Sequence, residues 1–169
     1  PGPGPLPDPP LPARRRVWLI APGERARLWD DFREDSIAAI GWDHLGDLSL
    51  YPNVEAILSR LAEQRTDGSL PKHDALACWE FANDMQVGDL VFAKRGRSHI
   101  VGHGIVESTY RYDGSRSEYR HVRKVRWAAA GSWRVGDKQL VTKTLTDIGQ
   151  YPQLVEQLRE LVGIQDGTD

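Results

Sequence analysis

Two of the six tryptophans stand where an indole ring could stack on a ligand. Trp42 and Trp127 each end an apolar run that predicts a strand, and each opens onto a loop. An indole in that position can present its flat face to a nucleic-acid base, and such stacking contributes about 1–3 kcal/mol per base. The alternative is that both rings only fill corners of the sheet. Trp18, Trp29 and Trp79 lie within predicted strands or helices and are expected in the core.

Asp43 directly follows Trp42, so its carboxylate is a candidate hydrogen-bond acceptor in the same place. It could accept from an exocyclic amine such as that of cytosine or adenine. It could equally cap a turn or a helix. The sequence leaves these two interpretations open.

Basic residues are concentrated in one stretch of an otherwise slightly acidic chain, whose net charge of −2 excludes a strongly basic, histone-like binder. Residues 94–126 hold nine Lys or Arg against three Asp or Glu. This local excess predicts contacts with a phosphate backbone, which hold nucleic acid without reading its sequence. The alternative is a solvated face of the sheet. The candidate contacts are Lys94, Arg95, Arg97, Ser98, Arg120, Arg123 and Lys124.

Residue patterns typical of catalysis or metal binding are missing, so we expect no enzyme, no metal and no cofactor. The string Gly131–Lys138 resembles a phosphate-binding loop, but an aspartate precedes its lysine and no Ser or Thr follows. His99 and His103 fall on a predicted strand and do not share a helix face. Cys78 lies on an apolar helix face, which predicts an inert buried thiol.

The order of predicted elements indicates an α+β fold with a small curled sheet or barrel flanked by helices. Strands are expected at 17–20, 36–41, 90–95, 100–106, 119–127 and about 140–143, and helices at 24–33, 53–64, 73–83 and 152–162. Residues 1–16 predict a proline-rich linker that ends in an arginine cluster, residues 17–165 the folded domain, and residues 166–169 a disordered tail. The single cysteine fits a reducing, cytoplasmic location, and no apolar run is long enough for a membrane span.

Four segments together resemble a known family. Ile40–Leu48, Val87–Lys94, Ile100–Val106 and Tyr119–Trp127 are similar, in this order, to stretches of EVE-type domains in McrB-like modification-dependent restriction proteins. The likeness spans about residues 17–148. EVE-type domains belong to the PUA and YTH superfamily, so the resemblance implies a PUA-like β-barrel with a cage for a flipped base.

The resemblance also implies which residues form that cage. Trp42 and Trp127 would be its two aromatic walls, Asp43 would lie beside them, Pro22 and Gly23 would close the rim, and Leu145 would add an apolar wall. The implied function is a non-catalytic reader of a modified base in double-stranded DNA, such as methylated or hydroxymethylated cytosine, within a restriction or antiviral defence system. An effector nuclease or ATPase domain would then lie elsewhere in the parent protein or its complex.

Three other functions stay open at the level of sequence. An RNA-binding EVE or YTH-like module would use the same pocket, because RNA and DNA are distinguished through contacts to the 2′-hydroxyl. An ASCH-type hydrolase of a modified nucleoside would need a Lys/Glu pair near Trp42, and no convincing pair is present. A protein-interaction module would have no affinity for nucleic acid at any salt concentration.

Overall fold

A computed structural model describes residues 15–137 and 139–163 of the chain. The predicted proline-rich linker, apart from Arg15 and Arg16, lies outside the described residues, as does the predicted tail at 166–169. No helix within the described ranges is long and apolar enough to cross a membrane.

The described chain forms seven strands and four α-helices, which confirms the predicted α+β class. The strands are β1 Val17–Ile20, β2 Ile37–Ile40, β3 Leu90–Arg95, β4 His99–Val106, β5 Arg111–Tyr112, β6 His121–Arg134 and β7 Leu145–Asp147. The helices are α1 Trp29–Asp35, α2 Val54–Ala62, α3 Lys72–Trp79 and α4 Pro152–Val162. A π-helical turn, Glu80–Asp84, continues α3.

The strands form one mixed sheet in the order β2-β6-β4-β3-β1-β7, with β5 attached to β6. β1 and β3 are parallel, and the other paired strands are antiparallel. Register shifts between Ala93 and Lys94, and twice along β4, bend the strands as β-bulges do. The result is the predicted curled sheet flanked by helices, in the form of a half-barrel.

Strand β6 joins the two halves of this sheet. Its first four residues, His121–Lys124, pair with β2, and the remainder, Val125–Arg134, pairs with β4. The register therefore fixes β2 at one end of β6 and the β3–β4 hairpin at the other end. The residue of β6 that pairs with a given residue of β2 or β4 therefore shows where along β6 that residue lies.

The sheet separates two apolar cores. Side chains alternate along β1, so Trp18 and Ile20 enter the larger core while Val17 and Leu19 enter the smaller core beneath α4. Trp18 also donates from its indole Nε1 to Asp89 Oδ2 at 2.9 Å, which satisfies a buried carboxylate. Gly102 on β4 leaves room for the ring of Trp29, because a side chain there would collide with it.

Several predictions about the elements differ from the structure. The strand expected at 119–127 is β6, which continues to Arg134, so Trp127 lies within a strand and does not open onto a loop. The predicted strand near 140–143 is wrong: the strand is β7, Leu145–Asp147, because those residues pair with β1. The predicted helix at 24–33 is broken, since Arg25 and Ala26 have φ of 54° and 58° and close a short 3₁₀ turn before α1. The helical spacing over 73–83 places Leu76 on the inner face of α3, but its side chain is exposed.

Helix α2 begins where the sequence indicates. The side chain of Asn53 accepts a hydrogen bond from the backbone N–H of Ala56 at 2.9 Å and so caps the first turn. Ile57 and Leu61 are the buried face of this helix. That face holds the end of α2 against the larger core, next to the loop that follows β2.

Candidate functional site

Trp42 lies immediately after β2 in a left-handed backbone conformation, with φ 62° and ψ 44°. A bulky residue in this region is strained by about 1–3 kcal/mol, so the surrounding structure must hold it there. Its indole is partly buried against the larger core and partly exposed. Strain of this kind concentrates at binding and catalytic sites, which makes Trp42 the first candidate for function.

A buried hydrogen-bond relay fixes the backbone of Trp42. His121, which is fully buried, has its Nε2 3.0 Å from the carbonyl oxygen of Trp42 and its Nδ1 2.7 Å from the hydroxyl of Tyr110. The same hydroxyl accepts from the backbone N–H of Leu48 at 3.0 Å. Burial lowers the pKa of His121, so the ring stays neutral near pH 7.

Asp43 supplies the second support. Its Oδ1 accepts from the N–H of Arg120 at 2.8 Å, and its Oδ2 accepts from the N–H of Tyr119 at 3.1 Å. Tyr119 is itself in the left-handed region, with φ 53°, and its ring contacts Gly41. The carboxylate therefore clamps the loop before β6 onto the loop after β2. Of the two interpretations open at the sequence level, this geometry favours the structural cap.

A pocket of about 230 Å³ opens beside Trp42. This volume is below the roughly 300–1,000 Å³ of pockets for drug-sized ligands, so it suits a single flat heterocycle. Its lining comes from the loop after β2, the end of α2 and the start of α3. The residues are Trp42, His44, Leu61, Gln64, Arg65, Pro71 and Asp74.

The polar lining of this pocket consists of His44, from the loop after β2, and three side chains at the helical side. Arg65 contacts Asp74, with Nη2 3.4 Å from Oδ2, and Gln64 adds an amide that can both donate and accept. Together they provide donors and acceptors that could address the edge of a bound ring. Sequence reasoning missed all three residues, because Gln64 and Arg65 follow the end of α2, Asp74 lies in the first turn of α3, and none of them belongs to a motif.

Trp127 occupies a different place. Its indole Nε1 donates to the carbonyl of Ile37 at 2.9 Å, and its ring meets Trp29 edge to face at 4.7 Å. Ile37 begins β2 whereas Trp42 follows its end, so about 10 Å of strand separates the two positions. Trp127 lines a separate pocket with Ala128–Ala130. The structure does not bring the two predicted cage walls face to face.

The predicted rim and third wall lie together near β1. Leu145 is buried and pairs with Ile20, and Pro22 and Gly23 follow Ile20 by two and three residues and are also buried. These residues are connected only through intervening residues to the loop after β2 that carries Trp42, which we call the Trp42 loop. Gly23 lies next to Arg27, whose guanidinium carbon is 5.6 Å from the centre of the Tyr119 ring.

Two of the predicted phosphate contacts are corrected by the structure. Lys94 and Arg123 are each only 3% exposed. The ammonium of Lys94 donates to the carbonyl of Val141, and burial lowers its pKa to about 8. Arg123 donates to the carbonyls of Phe81, Ala82 and Ser108. Both cations are buried and donate to internal carbonyls, so neither is accessible to phosphate.

The other predicted contacts lie at three positions along β6. Arg95, Arg97 and Ser98 are exposed on the β3–β4 hairpin, opposite the far end of β6, where His99 pairs with Arg134. Lys124 is exposed midway, opposite Ile37. Arg120 lies at the Trp42 end, with its backbone held by Asp43. Of the seven candidates, Arg120 is therefore the one beside Trp42.

Reactive groups are few in the part of the chain that the structure describes. No three His, Cys, Asp or Glu residues among residues 15–137 and 139–163 are placed to hold a metal ion. Cys78 is buried, and burial raises the pKa of its thiol well above its usual range. A neutral, inaccessible thiol is a poor nucleophile.

The fold and the site define an α+β domain with a small pocket beside a strained tryptophan. The family described as "Domain of unknown function (DUF8426)" matches residues 18–149, and the chain belongs to that family. A search among curated proteins finds no match.

The solved structures similar to this chain include two YTH domains. One is the YTH domain of the Zygosaccharomyces rouxii MRB1 protein in complex with N6-methyladenosine RNA. It has 15% identity and a TM-score of 0.47, and the match covers 95% of this chain and 97% of that one. The other is the MmI1 YTH domain, at 10% identity and a TM-score of 0.45, covering 86% and 98%. The resemblance to EVE-type domains stays a prediction.

Proposed function

We propose that this domain is a non-catalytic reader that takes one modified base of a nucleic acid into the pocket beside Trp42. The observation that carries the proposal is the strained, partly exposed indole of Trp42, held by His121 and Asp43 at the mouth of a pocket sized for one ring. A preorganised aromatic face loses little conformational freedom on binding, so stacking contributes its full 1–3 kcal/mol or so.

The energetics of base extrusion fit this arrangement. Removing a base from its stack costs a few kcal/mol, and stacking on Trp42 offsets much of that cost. A methyl group buried against Leu61 and Pro71 would add about 0.8 kcal/mol. Gln64, Arg65 and Asp74 would address the polar edge of the ring. Recognition in this form needs no chemical step.

The nucleic acid proposed is double-stranded DNA with a modified cytosine or another modified base, and the motif resemblance to EVE-type domains favours it. Arg120 is the proposed phosphate contact, because its backbone is held beside Trp42 by Asp43 and its side chain is partly exposed. Its Nε donates to the carbonyl of Arg116 at 2.7 Å, so the two Nη groups are the donors proposed for phosphate. A role in restriction or antiviral defence, with an effector nuclease or ATPase domain or partner, is part of the same proposal. A cytoplasmic location would suit that role.

Fluorescence-anisotropy titrations test the proposal. The probes are matched DNA duplexes with unmodified cytosine, 5-methylcytosine, 5-hydroxymethylcytosine or 6-methyladenine, and single-stranded RNA with and without 6-methyladenine. We expect at least tenfold tighter binding of one modified probe, which is about 1.4 kcal/mol. Trp42→Ala should abolish that preference, and Arg120→Ala should weaken all probes alike.

Trp133→Ala is the matched control, because Trp133 is also a partly exposed tryptophan but lies at the far end of β6 against the smaller core. It should retain the preference. Equal binding of all probes, or a preference that survives in Trp42→Ala, would contradict the proposal. Preference for modified RNA over every DNA duplex would keep the pocket and overturn the choice of DNA.

A further inference from the structure

The face of the sheet opposite the Trp42 loop carries the larger opening. A groove of about 650 Å³ lies between β1, β7, residues 135–141 and the start of α4. Its floor is apolar and belongs to the smaller core, with Leu19, Leu140 and Ile148 as members. The groove is within the size range of binding pockets for drug-sized ligands, roughly 300–1,000 Å³. The proposed reader function leaves it unused.

The polar lining of this groove is neutral. None of its described lining residues is Asp, Glu, Lys, Arg or His, and the polar members are Thr146, Tyr151 and the four glutamines 139, 150, 153 and 157. The hydroxyl of Thr146 is buried without a hydrogen-bond partner among the described residues. We name this feature the glutamine groove. It offers hydrogen-bond donors to an uncharged occupant that is rich in acceptors.

Residues 1–12 of this chain have the matching chemistry. They contain seven prolines, two glycines and two leucines, with Asp8 as the one charged side chain. Proline has no backbone N–H, so such a segment offers many carbonyl acceptors and few donors. Proline-rich segments dock in grooves lined by aromatic side chains, and Tyr151, at 52% exposed, stands at this one.

The entry point of the chain lies beside the groove. The carbonyl of Val17 accepts from the N–H of Ile148 at 2.9 Å, and Leu19, two residues further, forms part of the floor. Pro12 is five residues before Val17, a reach of about 16 Å at 3.1 Å per residue of extended polyproline helix. A short tether of this kind raises the effective concentration to the millimolar range, so modest contacts suffice.

We propose that residues 1–12 bind in the glutamine groove of their own chain, with leucine and proline side chains on the apolar floor. The glutamine amides and the Thr146 hydroxyl donate to the backbone carbonyls of the segment. This binding is independent of the proposed reader function, since the groove and the Trp42 loop lie on opposite faces of the sheet.

Photo-cross-linking in the full chain tests this proposal. A benzophenone amino acid replaces Leu6, and the cross-linked peptides are identified by mass spectrometry. We expect intramolecular cross-links to residues 146–157. Tyr151→Ala should lower their yield at least fivefold. Leu70→Ala is the matched control, because Leu70 is an exposed apolar side chain at 57% that does not line the groove, and the yield should stay unchanged.

Each remaining outcome overturns the proposal. Cross-links confined to other parts of the same chain, or no intramolecular product, would show that the segment does not occupy the groove. Cross-linked dimers in place of the intramolecular product would show that the groove takes the segment of a second copy. Equal yields in Tyr151→Ala and Leu70→Ala would show that contact at the groove is incidental. Folding of each variant is checked by its far-ultraviolet circular dichroism.

Discussion

Trp42 and Trp127 have similar exposure, yet the chain supports them in different ways. Trp127 lies within β6 and is held through its own ring: the indole N–H donates to the carbonyl of Ile37, and the ring meets Trp29 edge to face. Trp42 lies in a loop, and its backbone is held by His121 while Asp43 clamps the neighbouring loop. The ring of Trp127 is therefore engaged in structure, whereas the ring of Trp42 is available to the proposed ligand. Supporting contacts separate these two tryptophans better than their exposure does.

We expect the two tryptophans to differ most in what they contribute to the free energy of unfolding. Trp127→Ala removes the contact with Trp29 and leaves the carbonyl of Ile37 unpaired, so the free energy of unfolding should fall by about 3–5 kcal/mol. Trp42→Ala removes a partly buried ring for which the described residues show no ring hydrogen bond, so its loss should stay below about 2 kcal/mol. Urea unfolding followed by circular dichroism measures both. Equal losses would remove the distinction between the two tryptophans.

The second prediction concerns the carboxylate of Asp43, which supports the Trp42 loop. Asp43→Ala leaves the N–H groups of Tyr119 and Arg120 without their acceptor, which should lower the free energy of unfolding by about 1–3 kcal/mol. Asp113→Ala is the control, because that carboxylate caps an exposed turn at Ser115, and less than about 1 kcal/mol should be lost. Comparable urea midpoints for the two variants would show that Asp43 is not a clamp.

The smallest effect concerns pH and the two buried histidines. His121 supports the Trp42 loop, whereas His103 lies on β4 next to Gly104, which pairs with Trp127. The Nε2 of His103 has no hydrogen-bond partner among the described residues. Burial lowers the pKa of His103 to about 4 from its ordinary value of 6.5. The unfolded chain therefore binds a proton at higher pH than the folded chain does, so stability falls as the pH drops from about 6.5 towards 4.

His103→Leu should remove this part of the pH dependence, which amounts to at most about 1.4 kcal/mol per pH unit for one group. The measurement is urea unfolding at pH 7, 6 and 5. The contribution of His121, whose pKa is also lowered by burial, should remain. Exposed His73 provides the control, because His73→Leu should keep the full slope. An unchanged slope in His103→Leu would show that this ring is not neutral and buried in solution.

Local patterns predict much of this fold. The strand at 17–20 and the helix at 152–162 agree with β1 and α4, because a four-residue apolar run and a helix-period face leave few alternatives. The predicted strand near 140–143 is wrong because distant pairing, not a local pattern, decides where this strand forms. Residues 145–147 become β7 only because β1 offers them a free edge, and that partner lies more than a hundred residues earlier.

The candidate site was predicted only in part. Trp42 stands out because it ends a strand, but its supports come from His121 and Tyr110, which no local spacing links to it. Lys94 and Arg123 illustrate a second limit. A basic residue on a strand has the same pattern whether its charge meets solvent or a set of buried carbonyls, and only the packed fold separates these cases.

The register of strand β6 determines the positions of both tryptophans. A slip of one residue along β2 would turn His121 out of the core and Arg120 into it, because successive side chains point to opposite faces. The same slip would move Trp127 away from Ile37, because Trp127 follows by three residues Lys124, the partner of Ile37. The support of Trp42 and the contact of Trp127 therefore both depend on the register of β6, and a misaligned β6 would disturb the proposed binding surface and the stability of the domain together.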